Sequence, residues 1–204
     1  MTTALKIAFI GSHSVRKTNA VHSFAGVVGR SGRSVEVGRE VVRYNPLGRN
    51  EGATPEAQLW TLTAQIQQEL ELRRSAQVLV LDRAVIDNFA YMLRVTKGRD
   101  VFDVKPLVRN WSDTYDLYVR LRPDVGLQAD GVRSTNEKFR KEIEKILDLI
   151  IPQYVDPDRL IELNASEITE SFDWQPILDR LCGPEPSGEP PQAAPLTVTP
   201  TLWD

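Results

Sequence analysis

The sequence predicts an α/β fold of three layers, with helices on both faces of a mainly parallel sheet of about five strands. One observation is that short apolar segments of β-forming residues alternate with longer segments whose apolar residues recur at helical spacing. That alternation is typical of parallel sheets in which a helix connects one strand to the next. The second observation is the segment GSHSVRKT, residues 11–18, which stands between the first apolar segment and the first amphipathic one.

The first elements along the chain are a strand, a helix and a second strand. Residues 5–10, LKIAFI, are almost continuously apolar, as expected of a strand buried on both faces of a parallel sheet. A helix is predicted over residues 18–30, where apolar residues recur every three or four positions. Residues 34–42, SVEVGREVV, contain the second predicted strand.

The middle of the chain begins with a well-marked helix. Thr54 is a suitable N-cap, and Pro55 occupies the first helical position, where its missing N–H has no cost. Residues 77–83, QVLVLDR, are predicted to form a buried strand that ends in charged residues. Residues 84–95, AVIDNFAYMLRV, are predicted to be helical.

The last third repeats the alternation. A strand is predicted at residues 116–123, followed by a loop and a helix from about Thr135. Ser134 and Glu137 have the spacing of a capping box at the start of that helix. The final elements are a strand at residues 159–163 and a helix at residues 167–181.

The composition is typical of a globular protein with one domain. The chain has 204 residues, of which 41% are hydrophobic and 26% charged. Its net charge of −3 argues against nucleic-acid binding, because nucleic-acid binders are usually basic. No apolar run approaches the ~20 residues needed to cross a bilayer. The single cysteine, Cys182, excludes an internal disulfide and suits a reducing compartment, so we expect a cytoplasmic protein without a membrane partner.

The chain is predicted to divide into a folded domain and a tail. Residues 1–182 carry all the predicted elements and form the domain. Residues 183–204 are rich in Pro, Gly and small polar residues, so this tail is expected to be disordered. Such a tail is suited to docking a protein partner, while the oligomeric state is left open.

The segment between the first strand and the first helix has the pattern of a phosphate-binding loop. Such loops read G-x-x-x-x-G-K-[ST]. Their backbone N–H groups hold anionic oxygens, aided by the N-terminus of the following helix. In that motif lysine reaches the β- and γ-phosphates and the hydroxyl ligates Mg²⁺, roles that fit Lys17 and Thr18. His13 is expected to be exposed at the tip of the loop. The alternative interpretation of the whole segment is an ordinary turn between strand and helix with a solvated lysine. The predicted nucleotide-binding residues are Gly11, Ser12, His13, Ser14, Val15, Arg16, Lys17 and Thr18.

Arg16 departs from the pattern, because it occupies the position of the second glycine. Glycine serves where the backbone takes a positive φ or approaches a ligand closely. An arginine in that conformation costs on the order of 1–2 kcal/mol, and its Cβ would crowd the phosphate. Its guanidinium either turns outward or adds positive charge to the phosphates. Retained nucleotide binding and a weakened or silent site are therefore both open.

Three further segments follow the loop in a characteristic order. They are GREVVRY, LDRAVIDNFAY and ADGVRS. With the loop, they resemble the P-loop nucleoside and nucleotide kinases, in particular the kinase domain of NadR-type nicotinamide riboside kinases and their AAA-labelled relatives. The resemblance covers about residues 5–182 and implies the P-loop NTPase fold. It also implies ATP- or GTP-dependent phosphoryl transfer, with Mg²⁺, to a nucleoside, a nucleotide or nicotinamide riboside.

The resemblance also implies roles for particular residues. Phosphoryl transfer needs positioning and charge neutralisation more than covalent help. Lys17, Arg83 and Arg133 are predicted to supply positive charge to the transferred group. Asp82 is predicted either to bind Mg²⁺ with Thr18 or to accept the proton of the attacking hydroxyl. The residues predicted to bind the acceptor are Glu40, Arg43 and Asp87.

Each of these assignments has a simpler alternative. Asp82 and Arg83 would also be compatible with a surface ion pair, and Glu40 and Arg43 with two exposed residues. The segment that contains Arg133 would also be compatible with a turn followed by a helix. At the level of function, the alternative is a degenerate nucleotide-binding, regulatory or assembly protein that lacks kinase turnover. An NTPase that drives a conformational change ranks last.

Overall fold

The computed structural model describes residues 4–48, 52–124 and 136–183. These residues form five strands and six α-helices, with short 3₁₀ segments at Val41–Tyr44, Pro157–Arg159 and Ala165–Glu167. In chain order the strands and helices are β1 (Leu5–Ile10), α1 (Lys17–Arg30), β2 (Val35–Gly38), α2 (Pro55–Leu72), β3 (Val78–Asp82), α3 (Val85–Val95), α4 (Lys105–Ser112), β4 (Leu117–Arg122), α5 (Glu137–Tyr154), β5 (Leu160–Asn164) and α6 (Gln175–Cys182).

The five strands form one parallel sheet in the order β2-β3-β1-β4-β5. This confirms the predicted fold. Strand β1 lies in the centre, between β3 and β4. Because parallel strands end at the same edge, the segments that follow β1, β3 and β4 meet there, and ligands of such sheets bind at that edge.

The core has two halves, one on each face of the sheet. Successive side chains of a strand point to opposite faces, and β1 divides accordingly. Ala8 and Ile10 belong to the cluster formed with α2, α3 and α5, whereas Ile7 and Phe9 belong to the cluster formed with α1 and α6. Burial of both faces explains why the sequences of β1 and β3 are almost continuously apolar.

Helix starts agree with their capping residues. The Thr54 side chain accepts a hydrogen bond from the N–H of Ala57 at 3.2 Å, as its N-cap position predicts. Helix α5 begins at Glu137, slightly later than predicted, because Asn136 is its N-cap and accepts from the N–H of Phe139 at 3.2 Å. The predicted cap, Ser134, lies outside the described residues.

Two predicted elements have different bounds in the structure, and one helix was not predicted. Strand β2 covers only four residues of the 34–42 segment, and a 3₁₀ segment follows it. Helix α4 was not predicted, since its eight residues are too few to show an apolar period. Helix α6 begins at Gln175 rather than near residue 167, because Pro176 favours a first turn there and a 3₁₀ segment occupies Ala165–Glu167.

None of the described helices combines the length and apolarity needed to cross a membrane. The predicted tail, apart from Gly183, lies outside the described residues.

A buried polar cluster lies against α2 and extends from the amino-terminal end of β1 to the segment that follows β3. The carboxylate of Glu69 accepts from Lys6 Nζ at 2.9 Å, from Trp111 Nε1 at 2.8 Å and from the Tyr115 hydroxyl at 2.6 Å. Gln65 Nε2 donates to the same carboxylate at 2.9 Å. One acidic side chain thus joins α2 to β1 and to the segment before β4.

We expect Glu69→Ala to destabilise the protein by about 3–5 kcal/mol, because it leaves the buried Lys6 ammonium without its counter-ion. Urea unfolding at pH 7 measures the change. The matched control is Glu71→Ala, two residues away on the exposed side of α2, which should shift the unfolding free energy by less than about 0.5 kcal/mol. Equal losses in both variants would contradict a structural role for the cluster.

Candidate active site

The segment after β1 forms a tight loop that leads directly into α1. Gly11 has a φ of 137°, and a Cβ there would lie 2.5 Å from the carbonyl oxygen of Leu121, so only glycine fits. Ser14 and Arg16 also have positive φ values, of 61° and 58°. Helix α1 begins at Lys17, so its N-terminal end, which favours anions, faces the loop.

The Lys17 side chain lies inside the loop. Its ammonium group donates to the carbonyl oxygen of Gly11 at 2.9 Å and to that of Ser12. Burial lowers the pKa of Lys17 to about 8, and the charge of Arg83 acts in the same direction, while Asp87 and Asp82 oppose the shift. The alternative of a solvated lysine in an ordinary turn is therefore wrong.

Thr18 and Asp82 place two side-chain oxygen atoms next to each other at the mouth of the loop. The Thr18 hydroxyl donates to Asp82 Oδ2 at 2.6 Å, and the buried Oδ1 has no hydrogen-bond partner among the described residues. Mg²⁺ prefers such hard oxygens and usually binds one or two protein groups together with phosphates and water. Within the described residues no cluster of three or more acidic, His or Cys side chains offers a complete metal site. Thr18 and Asp82 therefore fit a Mg²⁺ ion that also binds phosphate.

Arg16 adopts the left-handed conformation that glycine normally provides, with φ 58° and ψ 21°. Its guanidinium Nη1 donates at 3.4 Å to the carbonyl oxygen of Ile168, in the segment after β5. Of the two orientations considered from the sequence, the side chain takes the one that leads away from the loop. The backbone accepts the substitution at a cost of about 1–2 kcal/mol.

Glu40, Arg43 and Arg83 meet in one ion-paired cluster. Nε and Nη2 of Arg83 donate to Glu40 Oε1 at 2.9 and 2.8 Å, and Arg43 Nε donates to Glu40 Oε2 at 2.8 Å. Glu40 is 5% exposed and Arg83 3% exposed, so the alternatives of a surface pair and of exposed residues are wrong. Arg83 also has a φ of 92°, a strained value for a side-chain-bearing residue that is found mainly at functional sites.

Asp87 lies beneath the loop. Its Oδ1 accepts from the N–H of Gly11 at 2.9 Å, and its Oδ2 accepts from the N–H of Ala84 at 3.0 Å. Burial raises the pKa of Asp87, and the charges of Arg83 and Lys17 oppose that shift. Both oxygens thus hold backbone amides, a placement that the predicted acceptor role did not anticipate.

The tip of the loop is covered by α3 and α5. His13 is 3% exposed, so the expectation of an exposed tip is wrong. Its ring stacks on Phe139 with centroids 5.2 Å apart, and its Nδ1 lies 3.3 Å from the Tyr91 hydroxyl. The guanidinium of Arg83 lies 5.1 Å from the centre of the Tyr91 ring. Aromatic side chains therefore link the loop to the ion-paired cluster.

A pocket of about 150 Å³ opens beside the loop. Its walls include the oxygen pair of Thr18 and Asp82, and Glu40, Arg43 and the exposed ring of Tyr44. The predicted metal pair and two of the predicted acceptor-binding residues thus share one cavity.

The site includes two residues that were not predicted from the sequence, and one predicted site residue is not placed. Glu144 of α5 accepts from the N–H of Ser12 at 2.9 Å, and Tyr44 borders the pocket. Tyr44 ends the segment GREVVRY but was given no role there, and Glu144 lies in none of the quoted motifs and reaches the loop only through the packing of α5. Arg133, predicted to supply positive charge, lies outside the described residues.

A family model described as an AAA domain, AAA_28, matches residues 6–154, which is more than half of the chain. The chain belongs to the AAA_28 family. This confirms the family predicted from the loop and the three segments that follow it. A comparison with curated protein sequences gave no match.

Solved structures, two of them of kinases, share the fold of this AAA_28 chain at low sequence identity. Thymidylate kinase from Ehrlichia chaffeensis is 17% identical with a TM-score of 0.60, over 84% of this chain and 91% of that one. Deoxyadenosine kinase from M. mycoides with bound dCTP is 17% identical with a TM-score of 0.57, over 87% and 98%. A NadR protein in complex with NR is 18% identical with a TM-score of 0.66, over 83% and 47%, so this chain spans about half of its length. The chain therefore has the P-loop kinase fold.

The lowered pKa of Lys17 predicts a dependence of stability on pH. Between pH 8 and the ordinary lysine pKa of 10.5, the unfolded chain binds a proton at this residue that the folded chain does not. Stability should therefore rise with pH in this range. We expect the wild type to gain about 2 kcal/mol relative to Lys17→Met between pH 7.5 and 9.5.

Urea unfolding of both proteins across that pH range measures this difference. Taking the difference between them removes the titration of the other groups. Parallel curves for the two proteins would show that Lys17 titrates normally and lies in water.

Proposed function

We propose that the protein is a P-loop kinase that transfers the γ-phosphoryl group of ATP or GTP, with Mg²⁺, to a small acceptor. One observation carries this proposal. The Thr18–Asp82 oxygen pair belongs both to the mouth of the phosphate-binding loop and to the wall of the pocket that Glu40 and Arg43 line. A group in the pocket and a phosphate in the loop would thus lie on either side of the same carboxylate.

The chemistry follows from this arrangement. An acceptor hydroxyl oxygen attacks the γ-phosphorus, the bond from that phosphorus to the β–γ bridging oxygen breaks, and the hydroxyl proton leaves to a base. Asp82 is placed to take that proton or to bind the metal, which when bound neutralises phosphate charge. Lys17 supplies positive charge to the phosphates from within the loop. Arg83 contributes from the neighbouring cluster, and Arg133 retains the role that its sequence segment predicts.

The acceptor is proposed to be a nucleoside, a nucleotide or a molecule like nicotinamide riboside. Thymidylate kinase, deoxyadenosine kinase and NadR with NR bound share the fold and act on or bind molecules of that kind. Glu40 and Arg43 would contact the acceptor in the pocket. Asp87 would act from beneath the loop, through Gly11, rather than by touching the acceptor.

A second candidate is a nucleotide-binding or regulatory protein without kinase turnover. Arg16 favours it, because a side chain stands where the loop normally carries glycine. The same fold would then bind nucleotide weakly, or would serve in assembly.

Calorimetric titration with Mg-ATP separates the two candidates. We expect the wild type to bind with a Kd in the micromolar range, because Arg16 leads away from the loop. Arg16→Gly should change this Kd by less than about tenfold and should raise the free energy of unfolding by about 1 kcal/mol through relief of the left-handed strain.

Binding by Arg16→Gly alone would favour the degenerate scaffold. Absence of binding in both proteins would contradict the phosphate-loop assignment itself.

A product assay tests turnover and the role of Asp82. Wild-type protein with Mg-ATP and a panel of nucleosides, nucleotides and nicotinamide riboside should phosphorylate at least one acceptor. Asp82→Asn should lower kcat by about 100-fold or more, because the amide cannot take a proton or balance Mg²⁺ charge. Thr18→Ala should raise the Mg²⁺ concentration needed for half-maximal rate.

The matched control is Asp113→Asn, an exposed aspartate that precedes β4 at the opposite edge of the sheet. It should leave kcat unchanged. A wild-type level of turnover in Asp82→Asn would exclude Asp82 from both proposed roles.

A further inference from the structure

The first two residues of the loop are held by side chains at all four of their backbone polar groups. The N–H of Gly11 donates to Asp87 Oδ1, and the N–H of Ser12 donates to Glu144 Oε1, both at 2.9 Å. The carbonyl oxygens of the same two residues accept from the Lys17 ammonium. The three side chains come from α1, α3 and α5, so three helices fix one dipeptide.

Because protein carboxylates occupy these two amides, they are not available to a phosphate. The anion-binding N–H groups must therefore come from the later part of the loop, residues 13–18. The direction in which those groups point depends on the conformation of the dipeptide that precedes them. Groups fixed before the ligand arrives need no reorganisation on binding, which favours affinity.

Glu144 would by itself oppose anion binding, because it places a negative charge against the loop. Arg120 of β4 offsets that charge. It is 2% exposed, and its Nη2 donates to Glu144 Oε2 at 3.2 Å. Arg120 also contacts Asp148 at 2.8 Å and Glu162 at 3.3 Å, so its position does not depend on Glu144 alone.

We propose that Glu144 is a positioning residue that sets the anion-binding conformation of the loop through the Ser12 amide, with its charge neutralised by Arg120. The inference deepens the proposed function and rests on it for the nucleotide. Asp87 accepts from the N–H of Gly11 in the same way, but it also accepts from the N–H of Ala84 at the start of α3. Glu144 therefore offers the cleaner test.

The test compares Glu144→Ala with Glu144→Gln. The glutamine carboxamide oxygen still accepts from the Ser12 N–H, whereas alanine does not. Glu144→Ala should weaken Mg-ATP binding by about tenfold or more, the range expected for a lost hydrogen bond to a charged group. Glu144→Gln should stay within about threefold of the wild type.

The matched control is Glu142→Ala, on the same helix, whose carboxylate pairs with Arg94 and not with a loop amide. It should not alter nucleotide affinity. In steady-state assays Glu144→Ala should raise KM for ATP and leave KM for the acceptor unchanged. A merely structural role would instead lower the melting temperature and affect both substrates together.

A second measurement needs no nucleotide. Amide hydrogen exchange at Ser12 should be faster by about tenfold or more in Glu144→Ala than in the wild type or in Glu144→Gln, because the protecting acceptor is gone.

The two hypotheses fail differently. If the wild type binds no Mg-ATP, the proposed function is wrong, and the exchange rate of Ser12 then decides the positioning role. If the wild type and Glu144→Ala bind equally, or if Ser12 exchanges at the same rate in both, the role assigned to Glu144 is overturned.

Discussion

The site depends on one buried cation, the Lys17 ammonium. A charge removed from water is costly unless nearby groups compensate it. Here the carbonyl oxygens of Gly11 and Ser12 accept its protons, and Asp82 and Asp87 lie close enough to influence its pKa. The loop conformation, the start of α1 and the positions of the two acids are therefore mutually dependent. Since the pKa of Lys17 is still lowered, this compensation is incomplete, and an added anion would complete it.

The neighbouring buried arginines are each paired with at least one carboxylate. Arg83 is paired with Glu40, and Arg120 with Glu144. These pairs connect the segment after β2 to the segment after β3, and β4 to α5, so the elements on both sides of β1 are fixed relative to the loop. Among the described residues around the loop, the buried side-chain atoms without a hydrogen-bond partner include Asp82 Oδ1, Arg83 Nη1 and the hydroxyls of Ser12 and Ser14. That distribution separates the groups that build the site from those that remain available for a ligand.

The sequence predicts the fold and the loop because both depend on local patterns. Continuous apolar strands, the cap at Thr54 and the Gly-to-Thr segment are each readable within about ten residues. The burial of His13 and the contact of Glu144 with Ser12 depend on how α5 packs over the loop, and no local pattern encodes that. Asp87 was found as part of a motif, but its contact with Gly11 follows from the position of α3 beside β1. Helix α4 was not predicted for a different reason: its eight residues are too few to show an apolar period.

The Glu69 cluster is connected to the site by hydrogen bonds. Gln65, which donates to Glu69, also donates to the carbonyl oxygen of Arg83 at 3.3 Å, and the Tyr115 hydroxyl, which donates to Glu69, accepts from the N–H of Val85 at 3.1 Å. Substitutions within one hydrogen-bond network usually do not combine additively. A change at Glu69 is therefore expected to reach the backbone that carries Asp82 and Arg83, so evolutionary change beneath α2 and at the ligand site is constrained together.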